Sequence, residues 1–363
     1  MSLVLPFSLA FLISLILNPI TVMIAKRFGF IDDPKKHKHP AILHRKIVPR
    51  AGGAPVYLAF AICALVLVGF SKPLLGIVLG GLILISVGII DDKLDIGYFW
   101  KLLAQVAAAS VVVLAGVGIS FITNPLHILG LSNFSQTEII RLDALRIAFD
   151  FFGTHTVLVL ADLFALFWIV WVINMVNFSS GVDGQMPGIV LVTLFVLLLA
   201  SFRFAGDPGQ LVATKLTVIG MGATLGFLIF NFYPAKIFPG DSGPYFLGFL
   251  VAVLAILSGA KVGTAILVMA VPLIDGVFTV IRRVASGKSP FMGDKKHLHH
   301  RLLELGWGQR RIALFYWALC AILGAAALSL NSAGKLFAGI VMAIIILGGL
   351  IWLDMNLPQK AQR

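Results

Sequence analysis

The chain has 363 residues, 59% hydrophobic and 12% charged, with a mean hydropathy of +1.01. Lipid is the main solvent of such a chain, which excludes a soluble globular enzyme; the two cysteines, Cys63 and Cys320, lie inside apolar runs, which excludes a disulfide framework. The net charge of +12 is spread over short segments between apolar runs, so it argues for lipid headgroups or a polyanionic substrate and against nucleic acid.

With roughly 20 residues needed to cross a hydrocarbon core of ~30 Å, the sequence predicts about eleven spans. They fall near 3–25, 52–70, 73–90, 100–121, 157–175, 187–203, 211–231, 243–259, 261–281, 312–330 and 334–353. The expected fold is therefore an all-α, polytopic membrane helical bundle, one domain over 1–363. The first run has no basic residue before it and Lys26-Arg27 after it, the reverse of a secretory signal, which predicts a retained anchor with its N-terminus outside. Most Lys and Arg then fall on the inner side: Lys26, Arg27, Lys35, Lys36, Lys38, Arg45, Lys46, Arg50, Lys93, Lys101, Lys236, Arg282, Arg283, Lys288, Lys295, Lys296, Arg301, Arg310, Arg311, Lys360 and Arg363. Lys72, Arg141, Arg146, Arg203, Lys215, Lys261 and Lys335 sit at or near outer ends. The polar loops 26–51, 91–100, 174–186, 231–242 and 282–311 are expected on the cytoplasmic face, with the C-terminus. The loop 122–156 is expected outside, where Glu138, Arg141, Asp143 and Arg146 have spacings that suit an amphipathic interfacial helix.

Asp91 and Asp92 end the third span, Asp183 follows the fifth, and Asp241 opens the eighth. A charge beside hydrocarbon costs a few kcal/mol unless it meets a wet cavity, a partner or a metal, so these acids are functional candidates. Magnesium takes about six oxygens and keeps several waters, and Asp241 and Asn177 supply suitable oxygens. The competing reading makes Asp241 a helix N-cap in a Gly-Asp-Ser-Gly turn. Lys101 and Arg301 are phosphate-binding candidates, with His297, His299 and His300 as hydrogen-bond donors. The histidines lack a Cys or acidic sequence partner, which argues against zinc. Asp162 lies within a span and favours a different reading, a transporter or flippase of lipid-linked sugars, while Asp275, also within a span, is ambiguous and no repeated halves are visible. A scaffold with helix-capping acids is a third reading; it leaves the polar motifs unexplained.

Four motifs in chain order resemble the polyprenyl-phosphate N-acetylhexosamine-1-phosphate transferases, nearest to the bacterial undecaprenyl-phosphate GlcNAc-1-phosphate branch. They are Asp91-Asp92 with Lys101; Asn174-x-x-Asn177-Phe178-x-x-Gly181-x-Asp183-Gly184; Asn231-x-x-Pro234-Ala235-Lys236-x-Phe238-x-Gly240-Asp241-x-Gly243; and His297-Leu298-His299-His300-Arg301-Leu302. The resemblance implies transfer of a sugar 1-phosphate from a UDP-sugar to polyprenyl phosphate in a bacterial cytoplasmic membrane, yielding UMP and the first lipid-linked intermediate of a cell-envelope glycan. Carried over by position, Asp241 with Asn177 would hold magnesium, with manganese as the alternative ion. Lys101 and Arg301 would contact the diphosphate, with the three histidines nearby. Asp183 would meet uracil with Phe238 stacked on it, Asn174 belongs to the same substrate-binding set, and Asp91 and Asp92 would sit at the acceptor phosphate. The His-x-His-His-Arg pattern resembles the GlcNAc branch, whereas three consecutive histidines are typical of the branch that uses UDP-MurNAc-pentapeptide. Ser180 departs from the family, many bacterial members having Asp there. A homodimer is carried over by analogy alone.

Overall fold

The computed structural model describes residues 3–33, 47–130, 137–150, 154–204, 208–259, 261–287, 289 and 297–356. Many of the basic loop residues expected inside, among them Lys35, Lys36, Lys38, Arg45, Lys46, Lys288, Lys295 and Lys296, fall outside the described residues.

The helices are α1 (Val4–Phe28), α2 (Gly53–Leu67), α3 (Lys72–Leu94), α4 (Tyr98–Leu114), α5 (Pro125–Ile128), α6 (Val159–Phe178) and α7 (Gln185–Ser201). They continue with α8 (Pro208–Asn231), α9 (Ser242–Leu257), α10 (Val262–Val268), α11 (Ala270–Ala285), α12 (Leu298–Glu304), α13 (Gln309–Ser329) and α14 (Ser332–Asn356). Among the described residues, six helices (α1, α3, α6, α8, α13 and α14) are long and apolar enough to cross a membrane. α10 and α11, bent by 80° at a short break, together form a seventh candidate span. The apolar helices α2, α4, α7 and α9 are shorter, at 15 to 17 residues. The chain is thus an all-α polytopic membrane protein.

Local signals explain where the helices stop. Ser71 accepts a hydrogen bond from the Leu74 amide and Pro73 stands in the first turn, a strong start for α3. At its other end Asp95 takes a left-handed conformation (φ 48°), which ends the helix just after the paired acids.

α9 is apolar around its whole circumference and is buried from Ser242 to Ile256, as such a helix must be when its neighbours and not lipid surround it. α2, α3, α6, α7 and α8 pack around it. Trp168 on α6 donates through Nε1 to the Ala252 carbonyl at 3.1 Å, and the Tyr57 ring on α2 meets Phe246 edge-on at 5.3 Å. α1 and α14, by contrast, leave rows of Val, Leu, Ile and Phe exposed, the surface expected of helices bathed in lipid.

Close packing at the start of α9 depends on a missing side chain. Gly88 of α3 lies against the Ser242 backbone so tightly that a Cβ there would overlap it. Where lipid is the solvent, small residues let helices approach closely and van der Waals contact supplies the attraction. Gly88→Ala is therefore expected to destabilise the protein by about 1–3 kcal/mol, read as a lower melting temperature in detergent. An unchanged melting temperature would contradict this packing.

Among the described residues, three two-stranded antiparallel pairs complete the fold. β1 (Ile31–Asp32) pairs with β2 (Val48–Pro49), β3 (Phe121–Thr123) with β4 (Ile139–Arg141), and β5 (Arg146–Asp150) with β6 (Thr154–Leu158). The interfacial helix expected around Glu138 to Arg146 is corrected by the last two pairs. The charged spacing there serves a turn: Arg141 grips Asp143 with two hydrogen bonds, at 3.0 and 2.8 Å, and Arg146 reaches the same carboxylate at 3.2 Å. The Arg141 hydrogen bonds, with the Arg146 charge, hold the Asp143 carboxyl down to about 2. β-branched residues on both sides (Ile139, Ile140, Ile147, Thr154, Thr156, Val157) favour extended backbone over helix.

Candidate active site

α3, α4 and α9 bring three groups together that are far apart in the chain. Lys101, in the first turn of α4, places Nζ 2.7 Å from Asp91 Oδ2 and 3.1 Å from Asp241 Oδ2. Asp91 is nearly closed off, its side chain 6% exposed, and its Oδ1 accepts the Ile96 amide at 2.9 Å. Lys101 and Asp241 keep 21% and 29% of their side chains exposed, so they face the opening while Asp91 backs them.

Asp241 stands at the position before α9, yet its carboxylate makes no capping hydrogen bond to its own helix. Asp92 does that work instead. Its Oδ1 accepts the Asp241 amide at 3.0 Å and its Oδ2 the Ser242 hydroxyl at 3.4 Å, so it binds the end of α3 to the start of α9. Gly240 completes the turn at φ 60°, where a Cβ would strike the Asp92 carboxylate. The Asp241 side chain is released toward Lys101, and the Tyr245 hydroxyl donates to its Oδ2 at 3.0 Å. Burial pushes the Asp241 carboxyl up, but the hydrogen bond shared with Asp91 and the Lys101 charge outweigh it and hold the group below the usual carboxylate range.

The α6–α7 loop joins this centre through the segment 232–241. Asp183 Oδ2 accepts the Ala235 amide at 2.9 Å, and the Asp183 amide donates to Gln309 Oε1 at 3.1 Å. Asn231 accepts the Gly184 amide at 3.1 Å and donates to the Ile237 carbonyl at 2.9 Å. Phe238 is held by its backbone: its amide donates to the Pro49 carbonyl and its carbonyl accepts the Gly52 amide, at 2.8 and 3.0 Å. Asn174, on α6, donates to Gln105 Oε1 at 2.6 Å, and Gln105 is one turn beyond Lys101. Asn177 lies near the end of α6, where its carbonyl accepts the Ser180 hydroxyl at 2.7 Å.

The histidine segment forms α12, and an acid that the sequence left ambiguous anchors it. Asp275 of α11 accepts the Leu298 amide at 2.9 Å through Oδ1 and lies 3.0 Å from His297 Nδ1 through Oδ2; the Thr279 hydroxyl is 3.3 Å from the same nitrogen. His297 also lies over the Phe178 ring at 5.4 Å, and its ring is parallel to that of His299 at 5.6 Å. His299 packs against Gly181, and the centre of its ring is 4.3 Å from that of His300. Arg301 donates to Glu304 at 2.9 Å. Asp162, the other acid within a span, accepts the Leu158 amide at 3.0 Å and closes the first turn of α6. The acid that favoured a transporter and the ambiguous one thus both organise helix ends.

Burial, with His300 and His297 nearby, pushes the His299 imidazole well below its ordinary 6.5. The unfolded chain therefore binds a proton that the fold refuses, and stability falls as pH drops below about 6.5. Melting temperature in detergent is expected to decline from pH 7.5 to 5.5, and less steeply in His299→Asn. Equal slopes would refute the assignment.

A profile of glycosyl transferase family 4 matches residues 74–259, a stretch that takes in Asp91, Asp92, Lys101, Asp183 and Asp241. The chain belongs to glycosyl transferase family 4. It is similar to a probable undecaprenyl-phosphate N-acetylglucosaminyl 1-phosphate transferase of Bacillus subtilis, 29% identical over 95% of this chain and 89% of that one. It is also similar to a decaprenyl-phosphate N-acetylglucosaminephosphotransferase of Mycolicibacterium smegmatis, 30% identical over 94% of this chain and 86% of that one. A phospho-N-acetylmuramoyl-pentapeptide-transferase of Clostridioides difficile is 28% identical over 87% and 93% of the two chains.

In this family 4 enzyme, sequence reasoning missed Tyr245, Gln105, Gln309, the bridging role of Asn231 and the anchoring role of Asp275. Tyr245 and Gln105 stand four residues after Asp241 and Lys101, on the same helical faces, a spacing that could have found them. Nothing in the sequence pairs Gln309 with Asp183 or Asp275 with His297.

The residues present fit a hard divalent cation. Asp241 keeps part of its carboxylate exposed at the opening and spends none of it on capping its own helix, and a hard oxygen donor of that kind suits such a cation. Among the described residues, no group of three or more His, Cys, Asp or Glu side chains is set to hold a metal. An ion here would complete its shell from water and substrate phosphates.

Proposed function

We propose that this enzyme transfers GlcNAc 1-phosphate from UDP-GlcNAc to polyprenyl phosphate, giving polyprenyl diphosphate-linked GlcNAc and UMP at the cytoplasmic face of a bacterial membrane. The observation that carries the reading is the Asp91–Lys101–Asp241 centre, with Asp183 tied into the same loop. The reading includes about eleven spans with the N-terminus outside, supported by the helices at every predicted segment and by the basic loops.

A phosphate monoester has its second pKa near ~6, so the lipid phosphate is mostly a dianion at neutral pH and needs no strong base. An oxygen of that phosphate attacks the sugar-bearing phosphorus, a new P–O bond forms, and the bond to the UMP oxygen breaks with its electron pair leaving on UMP. Two anions must meet in line, and neutralisation is the main demand. Lys101 lies where it can offset charge on the diphosphate, with Arg301 as the second cation. Asp91 takes any remaining proton from the acceptor, while Asp92 positions Asp241 through its amide. Asp183 and Phe238 hold the uracil, Asn174 and the three histidines border the donor, and magnesium, held by Asp241 with Asn177, supplies charge neutralisation when bound. Asp91 and Asp92 already accept hydrogen bonds through both oxygens, which supports direct displacement over a covalent aspartyl intermediate.

The test incubates the detergent-solubilised protein with polyprenyl phosphate, magnesium and radiolabelled UDP-GlcNAc, then extracts with organic solvent. Label in the lipid phase that requires magnesium supports the reading. Turnover only with UDP-MurNAc-pentapeptide would replace the donor, and no turnover with any UDP-sugar would end the transferase reading.

A further inference from the structure

One peptide unit joins the end of α1 to the active-site loop. α1 stops at Gly29 (φ 76°), and the chain beyond it pairs with β2, Ile31 opposite Pro49 and Asp32 opposite Val48. The Arg50 amide donates to the Phe30 carbonyl at 2.9 Å, while the Pro49 carbonyl, on the other side of the same planar peptide, accepts the Phe238 amide at 2.8 Å. The Gly52 amide donates back to the Phe238 carbonyl at 3.0 Å, so residues 49–52 set both backbone groups of Phe238. The approach is close: a Cβ on Gly52 would lie 2.7 Å from the Phe238 carbonyl oxygen, and one on Gly53 2.4 Å from the Ser242 backbone. Ala51, just before them, takes a left-handed conformation (φ 79°), which is costly for a residue with a Cβ and persists where the surroundings dictate it.

A two-stranded ladder two residues long does not hold itself together. Arg50 supplies what it lacks. Its Nη2 donates to Asp32 Oδ2 at 2.8 Å, and the Asp32 side chain is 6% exposed against 33% for Arg50. A charge-assisted bond to a buried carboxylate is stronger than a neutral one, so the pair clamps β2 to β1 and fixes the peptide between Pro49 and Arg50. Asp241 has its own anchor in Asp92, so the clamp bears on Phe238, whose ring is half-buried. We propose that Arg50, fixed by Asp32, is a positioning residue for the donor nucleotide: the pair holds the peptide that sets the Phe238 backbone and, through it, the ring. Phe238 meets the uracil in the transferase reading, on which this assignment rests.

The experiment compares wild type with Arg50→Gln, Asp32→Asn, the double variant and Arg50→Lys in detergent. Amide hydrogen exchange is followed by mass spectrometry without substrate, and KM and kcat are measured for UDP-GlcNAc and polyprenyl phosphate. Arg50→Gln and Asp32→Asn are each expected to speed exchange within 231–243 at least ~5-fold while α9 exchanges as in wild type. Donor KM should rise about 5–20-fold, with kcat and acceptor KM within about threefold of wild type. The double variant should be no worse than the more severe single one, as for two residues acting through one contact, and Arg50→Lys should recover most of the loss. Unchanged exchange within 231–243 would overturn the clamp, whether or not any UDP-sugar turns over. Exchange that quickens equally in α9 would reduce the pair to general stability and overturn its positioning role. A fall in kcat with donor KM intact would make Arg50 a group acting on the reacting phosphates, which also overturns it. Absence of turnover in wild type would end the transferase reading alone, and exchange would then decide the clamp. If Arg50→Gln does not fold, Asp32→Asn, which keeps the size of the side chain, is judged by the same criteria.

Discussion

Asp241→Asn is expected to lower transfer by about 10²–10³-fold or more while leaving the helices assembled. The carboxylate is not what starts α9. Asp92 caps that helix, through the Asp241 amide, which the substitution keeps. The amide side chain can still accept from Tyr245, so little packing is lost. What disappears is one negative charge facing Lys101 and the opening, the charge that the proposed ion requires. Turnover should collapse with the melting temperature nearly unchanged, and raising magnesium should restore little. Activity within a factor of about three of wild type would remove Asp241 from the reaction.

Lys101→Met is expected to cost both activity and stability. The ammonium lies between two carboxylates, and its loss leaves Asp91 and Asp241 facing each other uncompensated. Breaking a buried pair costs about 3–5 kcal/mol, an exposed one under about 1, and with Lys101 partly exposed about 2 kcal/mol of destabilisation is expected. Turnover should fall by about 10²-fold, since the cation is aimed at charge that grows during transfer. Lys101→Arg should recover most of the stability and little of the rate, because a planar fork does not place its charge where a compact ammonium does. A rise in KM for the donor with kcat intact would mean that Lys101 only binds substrate.

Much of this site is legible in the chain. Apolar runs show where helices lie, and acids at their ends stand out because charge beside hydrocarbon needs a reason. Asp91, Asp183 and Asp241 were each candidates in this way, and Lys101 was one as a phosphate-binding cation nine residues after Asp92. Their separate tasks were not. Asp91 and Asp92 are adjacent and chemically identical, yet one pairs with Lys101 and the other caps α9. Asp275 was ambiguous in the sequence, and the structure shows it holding the histidine helix. The segment from Glu138 to Arg146 misled for a related reason: charge spacing that suits a helix equally suits a turn in which Arg141 and Arg146 close on Asp143.

The sequence by itself determined the solvent, the helical class, the order of the motifs and the residue types available for phosphate chemistry, because hydropathy and charge are properties of short stretches. Only the tertiary structure decided which groups meet. Lys101 and Asp241 are 140 positions apart, and their contact exists because α3 and α9 approach through Gly88 while α4 turns back beside them. Such a contact follows from side chains fitting across three helices, and no local pattern encodes that fit.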